Sequence, residues 1–403
     1  MNIFTVLLIV LLYIAINVFV FVRSKSYTYR HKFVKILIIS LHSLLLLFAV
    51  CLIFIFGKPH LNFKVFSIYF QFNFLFILIC ILITNLFILY FIGDFLILFL
   101  FRKIKQGSKI RIRSVFHKTA MAITFCIWGL MLYGYFYGVT NYKIKTYELN
   151  FKKLPASFNG LKVLQFSDTH LGSFLNYKSV EKGMLMIQEQ NADIILFTGD
   201  LVNISSQEAQ PYFNLFASLE APYGKYAVLG NHDMSDYRKL DIERDSLNVN
   251  TQDIITFFQS TGFTVLRDTF VTIFNETDSI QIAGTDNWGK PPFKAYGNPE
   301  KLFENLNPNM FTMLLSHDPS FWCTFINDGT SVDLTLSGHT HGMQFGYRTK
   351  TRQWSPASIK YPTWAGIYKN QNQLLHVNPG FGFIGIPLRI GIHPEISVFI
   401  LSN

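Results

Sequence analysis

The stretch LTLSGHTHGMQFG, residues 334–346, places two imidazoles at spacing two in a glycine-flanked turn that follows an apolar run. Four other apolar runs end alike. LKVLQFS ends in Asp168-Thr169-His170, DIILFTG in Asp200, KYAVLG in Asn231-His232-Asp233 and FTMLLS in His317-Asp318. On turns, the D-x-H and H-x-H spacings let both side chains converge on one side. Asp168, His170, Asp200, Asn231, His317, His339 and His341 offer seven donors, too many for one four-coordinate ion. They suit two divalent ions sharing a carboxylate. Oxygen mixed with imidazole fits manganese, iron or zinc rather than calcium. His232, with Asp233 beside it, offers an imidazole able to give or take a proton near neutral pH. Each piece alone reads as ordinary turn chemistry: a Gly-Asp as a turn or N-cap, His232 as a turn residue capping its neighbours. Five in succession, each closing an apolar run, read as a metal centre.

Such a centre needs strands that end side by side, since open sheets bind ligands beyond the carboxyl ends of their strands. The glycines at 199, 230 and 338 permit tight turns there. Further strand candidates are FTVLRD, IQIAG, LLHVN and EISVFIL. Helices are expected over Lys178–Gln190, Pro211–Leu219, Gln252–Thr261, Pro299–Leu306 and Ser320–Ile326. Apolar strands with helices between them indicate an α/β protein covered on both faces.

The residues before about 140 follow another pattern. Four apolar runs, roughly 3–22, 34–56, 65–101 and 119–139, each reach the ~20 residues that cross a bilayer. The third is long, with Gly93-Asp94 near its end, and reads as one helix projecting toward water. Residues 1–140 carry 14 Lys+Arg against one acid, Asp94, about +13; the rest carries 21 bases and 24 acids, about −3. The overall +10 therefore belongs to the membrane part, and nucleic-acid binding is not expected. Of four cysteines only Cys323 lies beyond the apolar runs, which excludes an internal disulfide or a thiolate zinc site in the soluble part. Basic residues crowd the first and third connections; the third is RKIKQGSKIRIRSVFHK. Positive-inside bias then puts those connections in the cytoplasm. The reading is a multi-pass inner-membrane protein with its soluble domain on the outer, periplasmic side. Its divisions are 1–140, a membrane region of four helices; 141–157, a linker; and 158–403, the soluble domain.

The order D-x-H, G-D, G-N-H-D, H, then G-H-x-H resembles the calcineurin-like metallophosphoesterase family over roughly 158–402. The resemblance implies a two-sheet αββα sandwich behind the all-α transmembrane region. It implies that Asp168, His170, Asp200 and His341 hold one metal. Asp200, Asn231, His317 and His339 would hold the other, a hydroxide bridging the pair would attack phosphorus, and Asp233 would orient His232. The tail GHTHGMQFG, WSP, WAG and VNPGFG looks like the bacterial membrane-associated branch, with Gln344 kept and Met343 in place of a second glycine. Asn378 and Gly380 would shape the loop behind the site. That branch implies a membrane-anchored dimetal hydrolase of a phosphoester or pyrophosphate, acting on a lipid-linked or amphipathic substrate at the membrane lipid. The alternatives are a UDP-diacylglucosamine pyrophosphohydrolase and a non-catalytic metal-binding scaffold or sensor. Trp288, Phe293, Trp354 and Trp364 read first as loop packing, with acyl-chain contact as the alternative.

Overall fold

Short apolar segments build two six-stranded sheets in this computed structural model. It describes residues 104–234, 244–289, 291, 293–326, 330–349 and 351–403, with a few positions between 93 and 100. The chain divides into two units, Met1–Leu132 and Tyr133–Asn403. In the second, the strands are β1 (Lys143–Asn150), β2 (Leu161–Phe166), β3 (Ile194–Thr198), β4 (Lys225–Val228), β5 (Phe263–Val265), β6 (Thr269–Phe274), β7 (Ser279–Gly284), β8 (Thr312–Leu315), β9 (Leu334–Ser337), β10 (Tyr347–Arg348), β11 (Gln353–Trp354), β12 (Gly366–Asn370), β13 (Gln373–Val377) and β14 (Glu395–Ser402). One sheet runs β1-β14-β2-β3-β4-β5 and the other β12-β13-β9-β8-β7-β6, with β10 and β11 a separate hairpin. Strands β2 to β5 are parallel, as are β7, β8, β9 and β13, so the chemistry-bearing turns of β2, β3, β4, β8 and β9 leave from carboxyl ends.

The sheets pack face to face. Val163, Ile194, Leu196 and Phe399 from one meet Ile282, Met313, Leu315 and Leu336 from the other. Strands buried on both faces read as continuous apolar runs, which is why β3, β4, β8 and β9 are fully buried. Helices α2 (Tyr177–Gln188) and α4 (Arg244–Ser260) cover the first sheet with Val180, Met184, Ile187, Ile254 and Phe258. The short α3 (Phe213–Ala217) adds Phe216. Helix α5 (Pro299–Asn305) covers the second sheet with Leu302. The result is the expected helix–sheet–sheet–helix sandwich.

Two local expectations change. Lys143–Asn150, read as linker, forms edge strand β1, paired in parallel with β14. Its exposure alternates along KIKTYELN, so it carries no apolar run to announce it. The basic stretch read as the third connection is mostly helix. Helix α1 spans Gln106–Phe136 and takes in Lys109, Arg111, Arg113 and Lys118, residues whose straight side chains suit helices well. By length and composition Gln106–Thr140 is able to cross a membrane, and it holds the fourth expected span. The first two spans lie outside the described residues. So does most of the third, Asp94 included.

Candidate metal centre

The five turns deliver their side chains to one place. His170 Nε2 lies 3.1 Å from His341 Nε2, and His341 Nε2 lies 3.3 Å from an Asp168 carboxylate oxygen. Asp200 Oδ2 stands 3.5 Å from His170 Nε2 and 3.2 Å from His317 Nε2. His339 Nδ1 is 3.3 Å from His317 Nε2 and 2.9 Å from Asn231 Oδ1. Three overlapping clusters result: Asp168–His170–His341, His170–Asp200–His232 and Asp200–His317–His339. All seven residues singled out by spacing come together, and Asp200 stands between two groups. Imidazole nitrogens and carboxylate oxygens about 3 Å apart are the arrangement that a cation ~2.1 Å from each would draw in, so the donor set fits two divalent ions.

Backbone conformation marks the same residues independently. Asp168, His170, Asp200, His339 and His341 all have positive φ, between 42° and 70°. Each such non-glycine residue costs about 1–3 kcal/mol and persists only where surrounding structure holds it. Gly338 packs where any Cβ would meet Ser167 Oγ and the Asp168 carboxylate, so only glycine lets β9 turn there. Gly380, with φ 89°, passes close behind His341 and Asp168, fixed by a 2.7 Å bond from its N–H to Asn378 Oδ1.

A second layer aims the rings. His317 Nδ1 donates to the Thr198 carbonyl at 2.7 Å, which turns Nε2 toward Asp200. His339 Nε2 meets the Tyr361 hydroxyl at 2.8 Å and Asp318 Oδ2 at 3.5 Å. His341 Nδ1 faces the Arg389 guanidinium at 3.2 Å. The sequence signals for these partners were faint: an arginine in the apolar, glycine-rich run GFIGIPLRIGI, and no motif for Tyr361.

The pairing of Asp233 with His232 needs correcting. The Asp233 carboxylate accepts from the backbone N–H of Asp200 at 2.8 Å, Leu201 at 2.9 Å and Gly230 at 3.0 Å. His232 is oriented instead by the Asn203 carbonyl, 2.7 Å from its Nδ1. The turn after β4 folds Asp233 under the β3 turn, where backbone donors converge, while His232 stands edge-on to His170, ring centres 4.9 Å apart.

The protein's own charges suit cation binding. Burial opposes ionisation of Asp200, but His317 and His232 outweigh it and hold the carboxyl well below its ordinary range. Burial likewise opposes Asp168, and His341 brings it down to about 2. Burial pushes His339 down to about 4, so its ring is neutral at neutral pH with a lone pair to give. At His317 Asp200 outweighs the same burial and raises the ring to about 10, so a cation beside Asp200 would have to displace a proton from this ring.

Trp364 and Trp288 pack inward, as read. Phe293 stands edge-on to His339, ring centres 4.7 Å apart. Trp354 is exposed.

The chain is similar in sequence to known proteins. The family described as calcineurin-like phosphoesterase matches residues 161–343. The metallophosphoesterase YkuE of Bacillus subtilis is 32% identical over 278 residues, 67% of this chain and 90% of that protein. A transmembrane protein with metallophosphoesterase domain from Danio rerio is 26% identical over 72% of this chain and 63% of its own length. The UDP-2,3-diacylglucosamine pyrophosphatase LpxG of Chlamydia trachomatis is 27% identical, covering 58% of this chain and 81% of its own. With a relative this similar matched over nearly its whole length, the chain belongs to the calcineurin-like phosphoesterase family and is a metal-dependent phosphoester hydrolase.

Proposed function

We propose that the chain is a membrane-anchored dimetal hydrolase that cleaves a phosphoester or pyrophosphate bond of a lipid-linked or amphipathic substrate. The observation that carries the reading is Asp200, set between His170 and His317 where two ligand clusters meet. In this reading Asp168, His170, Asp200 and His341 hold one ion and Asp200, Asn231, His317 and His339 the other. Two divalent ions there supply Lewis acidity toward water and neutralise charge on the phosphoryl oxygens. The protein does the rest. The Thr198 carbonyl, Tyr361 and Arg389 fix three ligand rings, so the site needs little reorganisation as charge develops. His232 carries hydrogen on Nδ1, held by Asn203, which makes Nε2 the nitrogen that takes up or returns a proton at the leaving oxygen. Asp233 keeps the β3 and β4 turns in register beneath it.

Anchoring rests on the apolar helix Gln106–Thr140 and on the names of two relatives, from Danio rerio and Bos taurus, each called a transmembrane protein with metallophosphoesterase domain. The multi-pass arrangement and periplasmic side follow from charge counts in the sequence and are tested by a compartment-sensitive reporter fused after Asn403. The name of LpxG favours a second reading, a nucleotide-linked diacyl sugar as substrate; a cytoplasmic reporter signal would direct the first assay there.

The test of the hydrolase reading is Asp200→Asn in the full chain, assayed on bis(p-nitrophenyl) phosphate with manganese. Hydrolysis is expected to fall to background, because the shared ligand loses its charge. Retained hydrolysis would remove the dimetal mechanism.

A further inference from the structure

The turn after His341 is built against backbone preference. Gly342, Met343 and Gln344 have φ of 53°, 43° and 59°. Glycine adopts that region freely, and methionine and glutamine do not. Gln344 has a visible return: it is buried, its Nε2 donates to the Ile386 carbonyl at 2.7 Å, and its Oε1 accepts from Ile384 N at 2.7 Å. Met343 stands 60% exposed, two residues from a metal ligand. A strained backbone that presents an apolar side chain to the outside asks for a partner outside.

Met343 has apolar company. Phe345, Trp354 and Ile386 are 45%, 46% and 51% exposed. The Phe345 and Trp354 rings pack 6.5 Å apart at 82°. Tyr347, also exposed, pairs with Trp354 across the β10–β11 hairpin. Gln344 joins this group to Ile386, and Phe345 bridges to Ile390. Single exposed apolar residues are ordinary, whereas several on one loop beside the candidate metal ligands, joined through Gln344 and Phe345 to Ile386 and Ile390, mark a binding surface.

Its continuity names the occupant. From Ile386 the chain runs on to Leu388 and Ile390, which pack on Gly134 of α1. A Cβ added there would lie 2.8 Å from Leu388 Cδ1 and 2.7 Å from Ile390 Cγ1. That glycine belongs to the end of the one described helix that is long and apolar enough to cross a bilayer. Around the same end Tyr133, Phe136 and Tyr137 are exposed, the residue types that gather at membrane–water interfaces. Arg352 and Lys360, both exposed, flank the hairpin side with positive charge suited to anionic headgroups.

We propose that Met343, Phe345, Trp354 and Ile386 form a rim that dips into the bilayer interface, so that the metal centre works on phosphoesters at lipid-headgroup level. This rests on the hydrolase reading above and adds the surface that supplies its substrate. Trp354 is thereby moved from loop packing to lipid contact.

The test uses the full chain, with Cys51, Cys80, Cys126 and Cys323 replaced by alanine, in vesicles of phosphatidylethanolamine and phosphatidylglycerol. The fluorophore NBD is attached through Met343→Cys and, as a comparison, through Glu304→Cys on the exposed face of α5. At 343 the emission is expected to shift to the blue, to be quenched by lipids spin-labelled near the headgroup and to be shielded from aqueous iodide. At 304 iodide quenches and lipid does not. Equal iodide quenching at both positions overturns the proposal. Shielding at 343 without lipid quenching also overturns it and points to a second copy or another protein on the rim. Hydrolysis of bis(p-nitrophenyl) phosphate by the unmodified chain separates the failures. If it persists while the lipid test fails, the rim is wrong and the hydrolase stands. If it is absent, the hydrolase reading itself falls.

Discussion

At the scale of single residues, the candidate ligands were legible and most of their supports were not. Seven donors announced themselves because each closes a short apolar run with a polar, turn-forming group, a local pattern. Asn203 and Arg389 act on residues 29 and 48 positions away, and their local sequence marks them faintly or not at all. Asp233 shows the difference. Its adjacency to His232 suggested a pair, but its carboxylate accepts the N–H groups of Asp200, Leu201 and Gly230. Asp233→Asn turns one acceptor oxygen into an N–H donor facing those amides. Metal affinity or activity is expected to drop about 10–100-fold, the usual cost of losing a ligand's support. Metal content by mass spectrometry should fall with activity; a pure loss of activity at full metal content would mean that Asp233 acts on His232 after all. Arg389 is fully buried, and its guanidinium takes the carbonyls of Pro379, Gly382 and Ile392 as well as facing His341. Arg389→Met keeps the apolar stem but orphans those carbonyls, at about 1–3 kcal/mol each. One ion, that held by His341, is expected to bind more weakly than the other; two equally weakened sites in a calorimetric titration would show general loosening instead.

At the scale of elements, the strands that end at the site were readable because both their faces are buried. The edge strands β1, β6 and β12 were not, since polar and exposed positions interrupt them. Gln165 in LKVLQFS and His376 in LLHVN are polar residues inside buried strands, and that mismatch was a signal. They bond to each other at 2.7 Å across the sheets, and Gln165 reaches Thr198, whose carbonyl holds His317. Behind them Glu395 on β14 takes Arg348 at 2.7 Å and Lys145 at 2.9 Å, tying the β10 hairpin and β1 to the same network. Burial opposes the Glu395 charge, but His376, Arg348 and Lys145 outweigh it and hold its carboxyl far below the ordinary 4.5. A depressed acid stabilises the fold above its unfolded pKa, and that contribution is lost as pH falls toward the folded one. Glu395→Gln leaves the part-buried Arg348 without its counter-charge, a loss of at most about 3–5 kcal/mol at neutral pH. The gap between the two proteins in denaturant unfolding is expected to be full at pH 7 and to narrow below about 4.5, where the unfolded chain takes up its proton. A gap that stayed constant with pH would assign the loss to packing rather than charge.

At the scale of the molecule, charge and chemistry divide along the same line. Residues 141–403 carry 21 bases and 24 acids, and 133–140 carry neither, so the unit Tyr133–Asn403 has a formal charge of about −3. An acidic unit is a poor attractor of phosphoesters. Two divalent ions add four charges and bring it to about +1, concentrated where the substrate must sit, so the ions set the sign of the local field as well as the chemistry. The basic residues of the first unit are then not needed for phosphate attraction and are left to the membrane surface. All seven candidate ligands, both sheets and the clusters that pack them lie within Tyr133–Asn403. A fragment of residues 133–403 is therefore expected to fold, to bind two ions and to hydrolyse bis(p-nitrophenyl) phosphate at close to the full-length rate. Its sedimentation with vesicles should weaken sharply, since only the rim remains to hold it there. Circular dichroism checks the fold and a chelator the metal dependence. If the fragment folds and loads metal yet hydrolyses the soluble diester many-fold more slowly, the membrane unit takes part in catalysis, and the division between anchor and enzyme is wrong.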